Sequence, residues 1–336
     1  MSSFSKMFSD EKLQLVTGQI FVGQAILIAC KLGIFKLLIN GPLSIKDISH
    51  SLKLEERSVQ AMISCACALE LIECDSAIYK LSQLGQSFLN ETSSLYYGGV
   101  FDLLIQQNEI MSFENIEKAI LTNKPQVDSG TDIFSSFNGL GGTRSFVKAL
   151  HQKAFAPAFH WPKLLNLNEQ KKIIDIGGGS GIHAIAACLN NPLLRGIVCD
   201  REPVLPYTQE YIKEFGLEER ISVNELDMWE NEFPEGDVCF FGDIFHDWKR
   251  DKCISLAKKC FRSLSEDGLI ILHEMLFDAN KTGPFLTSAY NMKMMLWTEG
   301  QQFSHLEMQN ILQEAGFREI NVKKSLGNWS LIIGKK

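Results

Sequence analysis

The sequence lacks an excess of positive charge, a CxxC motif, a long uninterrupted apolar run and an internal repeat. Its 33 basic and 40 acidic residues give a formal net charge of −7, which is no sign of a polyanionic partner such as nucleic acid. The nine cysteines form no CxxC pair, so we predict free thiols in a reducing cytoplasm and no zinc or other metal. The opening MSSFSKMFSDEK is polar, and no run approaches the ~18 apolar residues of a membrane span, so no membrane association is expected.

The length and composition indicate a soluble enzyme of more than one domain. A chain of 336 residues is long enough for about two domains of ordinary size. Hydrophobic residues at 45% and charged residues at 22% are ordinary for a globular enzyme. We predict a mostly helical winged-helix domain at 1–100, a helical linker that contributes to a substrate pocket at 101–165, and an α/β domain at 166–336.

The N-terminal part has the pattern of a winged helix. Apolar residues recur at helical spacing over 11–39, and a helix-turn-helix follows, with Ser44 as a possible cap of its first helix. A short strand pair resembles a wing. The second helix, predicted over Glu55–Leu71, has Arg57 as its only basic residue, whereas a DNA-binding surface needs clustered Lys and Arg. A packing or dimerisation role is therefore favoured over DNA binding.

The linker is unusually rich in aromatic residues, and it includes a flexible segment predicted at Gly139–Gly142. Most of these aromatics are expected in the core, and a few are candidates for lining an apolar pocket. They are Phe134, Phe137, Phe146, Phe155, Phe159 and Trp161.

The sequence KKIIDIGGGSG, residues 171–181, reads as a strand, a tight turn and the start of a helix. Gly177, Gly179 and Gly181 lack a Cβ, so the backbone there can turn sharply and approach a ligand at the helix N-terminus. A second predicted strand ends at Asp200, where a carboxylate can bind ribose hydroxyls. A nucleotide-like ligand is favoured, although nicotinamide and flavin enzymes use similar turns.

The second half alternates strands and helices, which predicts a doubly wound, Rossmann-like parallel sheet with ligands at the carboxyl ends of its strands. Asp227-Met228-Trp229 follows the third strand, and this set suits a purine held between apolar faces near a carboxylate. His246-Asp247-Trp248 follows the fourth strand. All of these are also compatible with ordinary core positions.

His246 is the candidate general base, because an unperturbed imidazole titrates near neutral pH. The fifth strand ends in His273-Glu274, and a parallel sheet would place that end beside His246. Glu274 is the candidate orienting partner. Strand alternation should point His273 to the opposite face, so we interpret it as structural.

The chain resembles the S-adenosylmethionine-dependent small-molecule O-methyltransferases, of the dimeric kind found in plant caffeate and bacterial polyketide pathways. The resemblance spans nearly the whole chain, and its motifs occur in the order and spacing of that family. They are KLGIF, the winged-helix segment, DIGGGSG, the acid at Asp200, DMW, HDW followed by Cys253, HEM and EAGF.

This resemblance implies a Rossmann-like catalytic domain preceded by a winged-helix dimerisation domain, and a cytoplasmic homodimer. It implies transfer of a methyl group to a phenolic hydroxyl of an aromatic secondary metabolite, with S-adenosylhomocysteine as the product. His246 would be the base and Glu274 its partner. The implied cofactor residues are Asp175, Gly177, Gly179, Asp200, Asp227, Met228 and Trp248, and the implied substrate pocket contains Met292, Met295 and Trp297.

One segment departs from the family pattern. After Gly300, where relatives often carry a second acid beside the catalytic histidine, this chain has Gln301-Gln302-Phe303. Gln302 can hydrogen-bond an imidazole but cannot stabilise its positive charge as a carboxylate would. The departure favours an already acidic phenol, and it leaves carbon or nitrogen methylation, or a relative without methyl transfer, as alternatives.

Two other classes of protein share single features with the chain. A winged-helix regulator that senses a small molecule would need a basic recognition surface, which the second helix lacks. A nicotinamide-dependent oxidoreductase shares the glycine turn, but the acid at Asp175 fits the sulfonium-cofactor pattern better.

Overall fold

The structure, a computed structural model, describes residues 9–127 and 142–336. The chain divides into two compact units, Met1–Ile105 and Gln106–Lys336, whereas we predicted boundaries at residues 100 and 165. Phe134, Phe137 and most of the glycine segment predicted to be flexible lie outside the described residues.

The N-terminal unit combines helices with a small antiparallel sheet, in which the third strand pairs with the other two. Its core surrounds Ile34, Ile48 and Ile63, all fully buried. The elements are α1 (Glu11–Leu32), α2 (Ile34–Ile39), β1 (Leu43–Ser44), α3 (Ile45–Leu52), α4 (Glu56–Ala68), β2 (Ile72–Asp75), β3 (Ile78–Leu81), α5 (Gln83–Leu89) and α6 (Gly98–Gln106).

Local chemistry explains where these helices begin and end. The chain leaves α1 at Gly33, whose φ of +83° is a left-handed conformation that favours glycine, and its N–H caps carbonyls of the last turn. Ser44 caps α3 as predicted, in a capping box with Asp47. The β2–β3 hairpin follows α4 and corresponds to the predicted wing.

Much of the apolar surface of α1 is uncovered. Val16, Ile20 and Phe21 are 63%, 66% and 74% exposed. By length and composition alone α1 could cross a membrane. Its most apolar stretch has a mean hydropathy of 1.7, and 11% of that stretch is buried. This corrects our expectation that no run of the chain is long and apolar enough for a span.

The C-terminal unit contains the large sheet, with helices on both of its faces. Its elements are α7 (Phe113–Thr122), α8 (Thr143–His160), β4 (Lys172–Ile176), α9 (Ile182–Asn190), β5 (Arg195–Asp200), α10 (Leu205–Glu214), β6 (Ile221–Glu225), β7 (Gly236–Gly242), α11 (Arg250–Ser263), β8 (Leu264–Met275), α12 (Phe285–Trp297), α13 (His305–Glu314), β9 (Arg318–Lys324) and β10 (Trp329–Lys335).

The large sheet has seven strands in the order β6-β5-β4-β7-β8-β10-β9. The pairs from β6 to β8 are parallel, and β10 is antiparallel to both of its neighbours. The chain order reverses beside β4, where β5 lies on one side and β7 on the other. Ligands of doubly wound sheets bind at such a switch point, at the carboxyl ends of the strands.

The two faces of the sheet bury separate apolar clusters, because successive side chains of a strand point in opposite directions. In β7, Cys239 and Phe241 join a cluster with residues of α11 and α13, whereas Val238 and Phe240 join a cluster with residues of α8 and α9. All four side chains are fully buried. The central strands are thus fixed on both faces, which makes their carboxyl ends a rigid support.

Candidate active site

The glycine turn between β4 and α9 leaves its backbone open to a ligand. Gly177 and Gly179 have φ values of +65° and +57°, a region that L side chains rarely adopt. The N–H of Gly177 donates to the carbonyl of Cys199 at 2.8 Å, which ties the turn to β5. A Cβ placed on Gly179 would meet no atom within 4 Å, so open space lies in front of this residue.

Two carboxyl groups flank this turn. Asp175 is 1% exposed, and its Oδ2 accepts from the N–H of Ala184 at 3.3 Å. Asp200 accepts from the N–H of Gly179 and of Arg201, both at 2.8 Å. Burial raises the pKa of Asp175 to about 7 and that of Asp200 to about 6, because water no longer stabilises the charged forms.

The turn after β6 is held in place by its own side chain and by a buried lysine. Oδ1 of Asp227 accepts from the N–H of Trp229 at 2.9 Å. Lys259, from α11, donates its Nζ to the carbonyls of Met228 at 2.9 Å and of Trp229 at 2.8 Å. The ring of Trp248 meets that of Trp229 edge to face, with centroids 4.7 Å apart. The structure therefore brings the predicted adenine residues and Trp248 into one neighbourhood.

His246 lies in a short 3₁₀ turn, Phe245–Asp247, just beyond the end of β7. Its Nδ1 is 2.5 Å from Oε2 of Glu274, on the neighbouring strand β8. Oε1 of Glu274 accepts from the backbone N–H of Ile244 at 3.1 Å and of Phe245 at 2.8 Å. One carboxylate thus fixes both the imidazole and the backbone that carries it, which is how an orienting partner acts.

The charges around His246 favour its protonated form. Burial alone would lower the pKa of His246, but the Glu274 carboxylate, followed by Asp247 and Asp243, raises it to about 9. Nε2 is 3.7 Å from Oδ1 of Asp247, a carboxyl whose own pKa burial raises to about 7. With Nδ1 directed to Glu274, the proton that can be exchanged with a ligand is the one on Nε2.

A second polar network adjoins the histidine and was not found from the sequence. Nζ of Lys153, on α8, is 2.8 Å from Oδ2 of Asp243 and donates to the hydroxyl of Tyr290 at 2.7 Å. Nε1 of Trp329 donates to Oδ1 of Asp243 at 3.1 Å. Asp243 follows β7, so the strand-end rule could have indicated it, but no local signal marks Lys153 or Tyr290.

Asp243, His246 and Glu274 also present oxygen and nitrogen atoms within 4.8 Å of one another, a spacing that a metal ion could use. However, the ammonium group of Lys153 already neutralises Asp243, and the imidazole is already hydrogen-bonded to Glu274. These contacts are typical of side chains that share protons through hydrogen bonds. We therefore interpret the three residues as a hydrogen-bonded network rather than as metal ligands.

His273 points away from this site. Its Nε2 is 3.3 Å from the hydroxyl of Ser325, and its ring stacks on Trp329. Glu274, the next residue, faces His246. The alternation expected of a strand therefore separates the two side chains.

The residues predicted to line the substrate pocket are spread over different surfaces. Met292 is 42% exposed, and helical spacing puts Met292 and Met295 on the other side of α12 from Tyr290. Trp297 is 4% exposed and belongs to a buried cluster that includes residues of α7 and α8. Gln302 is fully buried, and neither atom of its side-chain amide has a hydrogen-bond partner among the described residues.

Comparison with known proteins agrees with this architecture. A model of the O-methyltransferase domain matches residues 142–318, and a model of the O-methyltransferase dimerisation domain matches residues 13–91. Acetylserotonin O-methyltransferase from Bos taurus is 25% identical, with 94% of each chain covered. The 3-hydroxy-5-methyl-1-naphthoate 3-O-methyltransferase of Streptomyces sahachiroi is also 25% identical, over 96% of this chain and 94% of the relative.

Solved structures show the same fold. The crystal structure of human N-acetylserotonin methyltransferase in complex with SAM superposes with a TM-score of 0.85 at 22% identity. The match covers 100% of this chain and 99% of that chain. The Rossmann-like sheet and the helical N-terminal unit are thus shared over the full length.

Proposed function

The chain belongs to the O-methyltransferase family, and we propose that it methylates a phenolic hydroxyl of an aromatic small molecule with His246 as general base. S-adenosylmethionine is the methyl donor of this family. The observation that carries the proposal is the contact of 2.5 Å between His246 and Glu274, at the carboxyl ends of adjacent strands. Glu274 thus holds the imidazole in one orientation and raises its pKa, on the side of the sheet where ligands bind.

The residues around the glycine turn fit the donor. Open space lies in front of Gly179, and the buried Asp175 and half-buried Asp200 have no ion pair among the described residues, a combination that suits a cationic, ribose-bearing ligand. Asp200 would hold the ribose, Asp175 and Gly177 would bound the methionine side, and Asp227 and Met228 would hold the adenine. Trp248 would close over the cofactor.

When bound, S-adenosylmethionine supplies a sulfonium methyl group, whose carbon–sulfur bond breaks as an acceptor oxygen bonds to the methyl carbon. Nε2 of His246 would take the proton from the acceptor hydroxyl, and the Glu274 carboxylate would stabilise the resulting imidazolium. Because the pKa of His246 is raised to about 9, most of the free protein carries this proton at neutral pH. The fraction with a neutral imidazole is the form able to act as base.

The acceptor is proposed to be flat and aromatic, of the polyketide, anthraquinone or related phenol class. The similarity to an enzyme named for a hydroxynaphthoate supports an aromatic acceptor. Met292, Met295, Trp297 and Gln302 remain predictions for the substrate pocket. A homodimer fits the match to the dimerisation domain, and a cytoplasmic location without nucleic-acid or membrane partners stays a prediction.

The test is mass spectrometry of products from methyl-labelled S-adenosylmethionine and a panel of hydroxyanthraquinones, flavonoids, catechols and tyrosine derivatives. Wild type should give a labelled O-methyl ether. His246→Ala should lose ~100-fold or more in turnover, because it removes a general base. Its affinity for S-adenosylhomocysteine should stay that of wild type.

Equal turnover by both proteins would remove His246 from the mechanism and leave the reaction in place. Product labelled at carbon or nitrogen would replace O-methylation with one of the alternatives. If no phenol is methylated although S-adenosylhomocysteine still raises the melting temperature, the proposed substrate class is wrong.

A further inference from the structure

We propose that Lys293 binds an anionic oxygen of the acceptor, supplied either by a carboxylate or by the phenolate itself. This inference rests on the proposed function, because it concerns the acceptor that would lie in front of His246. It makes Lys293 a binding residue that determines specificity, and it gives the acceptor a negative charge when bound.

The geometry places Lys293 beside the catalytic histidine through a shared neighbour. The ring of Tyr290 meets the imidazole of His246 edge to face, with centroids 5.5 Å apart. Nζ of Lys293 lies 5.2 Å from the centroid of the same tyrosine ring and 4.9 Å from that of Trp297. These three residues of α12 are three and four positions apart, so they share one side of the helix.

Two lysines approach Tyr290, and only one of them has a counter-ion. Lys153 lies 4.6 Å from the ring centroid and forms an ion pair with Asp243 at 2.8 Å. Burial alone would lower the pKa of Lys153, but Asp243 raises it well above its ordinary value. Among the described residues, Lys293 makes neither a hydrogen bond nor an ion pair.

The two acids that attract Lys293 also face other cations. Asp243 accepts from both Lys153 and Trp329, and Asp247 lies 3.7 Å from the imidazole of His246. Burial and repulsion by Lys153 lower the pKa of Lys293 to about 8, despite the attraction of Asp247 and Asp243. Lys293 has cation–π contacts with Tyr290 and Trp297 but no anionic partner among the described residues, and an anion that reached this partly buried ammonium group would stabilise it.

An acceptor oxyanion would supply that partner. A carboxylate on the aromatic ring would fix the ring's orientation, because a charge-assisted hydrogen bond is directional and strong. A phenolate at the same place would be stabilised directly, which would lower the pKa of the bound hydroxyl. Both cases use the same chemistry, and three related probes separate them.

The experiment is calorimetric titration of protein saturated with S-adenosylhomocysteine with 2-naphthoate, 2-naphthol and 3-hydroxy-2-naphthoate. Lys293→Met should weaken at least one of these ligands ~10-fold or more, because it removes a hydrogen bond between charged groups. Lys293→Arg retains the charge and should restore most of the affinity. Lys258→Met removes an exposed lysine from α11 and serves as the matched control.

The pattern of losses identifies the anion. Weakening of 2-naphthoate and 3-hydroxy-2-naphthoate alone points to a carboxylate, and weakening of the two hydroxylated probes alone points to the phenolate. Unchanged affinity of Lys293→Met for all three probes overturns the inference. So does the absence of saturable binding of any probe to wild type.

Separate readouts keep this inference distinct from the proposed function. Lys293→Met should melt close to wild type, because the loss of two cation–π contacts is offset by the removal of a partly buried ammonium group that has no ion pair among the described residues. Methyl transfer that is identical in wild type and Lys293→Met would leave the proposed function in place while this inference fails. Failure of wild type to bind S-adenosylhomocysteine would count against the proposed function instead.

Discussion

The two sides of the ligand edge differ in how their charged groups are paired. The glycine-turn side, formed by Asp175, Gly179 and Asp200, has one buried and one half-buried carboxyl without an ion pair among the described residues. The histidine side pairs Asp243 with Lys153 and Glu274 with His246, and Asp247 also lies beside that imidazole, whereas Lys293 has no ion pair among the described residues. The first side would thus gain an ion pair from a sulfonium, and Lys293 would gain one from an oxyanion.

The pKa shifts follow this difference in pairing. Burial moves the pKa of Asp175 to about 7 and that of Lys293 to about 8, in both cases towards the neutral form. The pKa values of Lys153 and Asp243 move towards their charged forms, because each has the other within 2.8 Å. Burial is common to all four groups, so the partner decides the direction.

The largest effect on cofactor binding is expected from removing charge on the glycine-turn side. Asp200→Asn should weaken S-adenosylhomocysteine ~10-fold to ~100-fold, because hydrogen bonds to a carboxylate contribute about 1.5–3 kcal/mol. Calorimetric titration measures this loss. In wild type the affinity should also fall below a pH of about 6, where Asp200 takes up a proton.

Asp267→Asn, at an exposed position near the start of β8 and away from the carboxyl ends of the strands, is the matched control and should bind as wild type does. Equal losses in both variants would attribute the effect to net charge rather than to the ribose contact. An unchanged affinity in Asp200→Asn would remove this carboxylate from the cofactor site.

An intermediate effect is expected from the histidine side and depends on pH. The kcat/KM of wild type should rise ~10-fold per pH unit and level off near pH 9, as the imidazole of His246 loses its proton. Glu274→Gln keeps an oxygen for the N–H groups of Ile244 and Phe245 but removes the negative charge. Its rise should level off at lower pH, because the pKa of His246 is then no longer raised by that carboxylate.

Steady-state kinetics from pH 6 to 10 give both profiles. The same inflection in wild type and Glu274→Gln would show that the titrating group is not coupled to Glu274. A profile that falls towards high pH would indicate that protonated His246 is the active form.

The smallest effect is expected from Lys259, whose ammonium group holds the backbone of the turn after β6. Lys259→Met removes the donors to the carbonyls of Met228 and Trp229 and should weaken S-adenosylhomocysteine about 3-fold to 10-fold, because these hydrogen bonds hold the turn and act on the cofactor only indirectly. Lys258→Met, on the exposed side of the same helix, should have no effect. If Lys259→Met weakened only acceptor binding, the turn after β6 would belong to the acceptor site rather than to the cofactor site.

The positions of several candidate residues at strand ends could be predicted from the sequence. Asp200 ends β5, Asp227 and His246 follow β6 and β7, and the parallel order of β4 to β8 brings those ends to one edge. The alternation of side chains along a strand likewise predicted that Glu274 and His273 point to opposite faces. Such positions are predictable because they depend on local pattern and on one general property of parallel sheets, whereas the roles of these residues stay predictions.

Contacts made across elements were not predictable in this way. Lys153 reaches Asp243 from a helix 90 positions earlier in the chain. Tyr290 and Lys293 lie on the other side of α12 from Met292, and the family resemblance had pointed to the methionine. A pairing of this kind depends on how α8 and α12 pack, which neither propensity nor spacing specifies.

The uncovered apolar residues of α1 have a consequence for stability. Val16, Ile20 and Phe21 are mostly exposed in the single chain, within the segment that matches a dimerisation domain. If a second copy covers them, part of the free energy that resists unfolding comes from association, and that part grows with protein concentration. The melting temperature of this protein is then a property of a solution at a stated dilution rather than of the chain by itself.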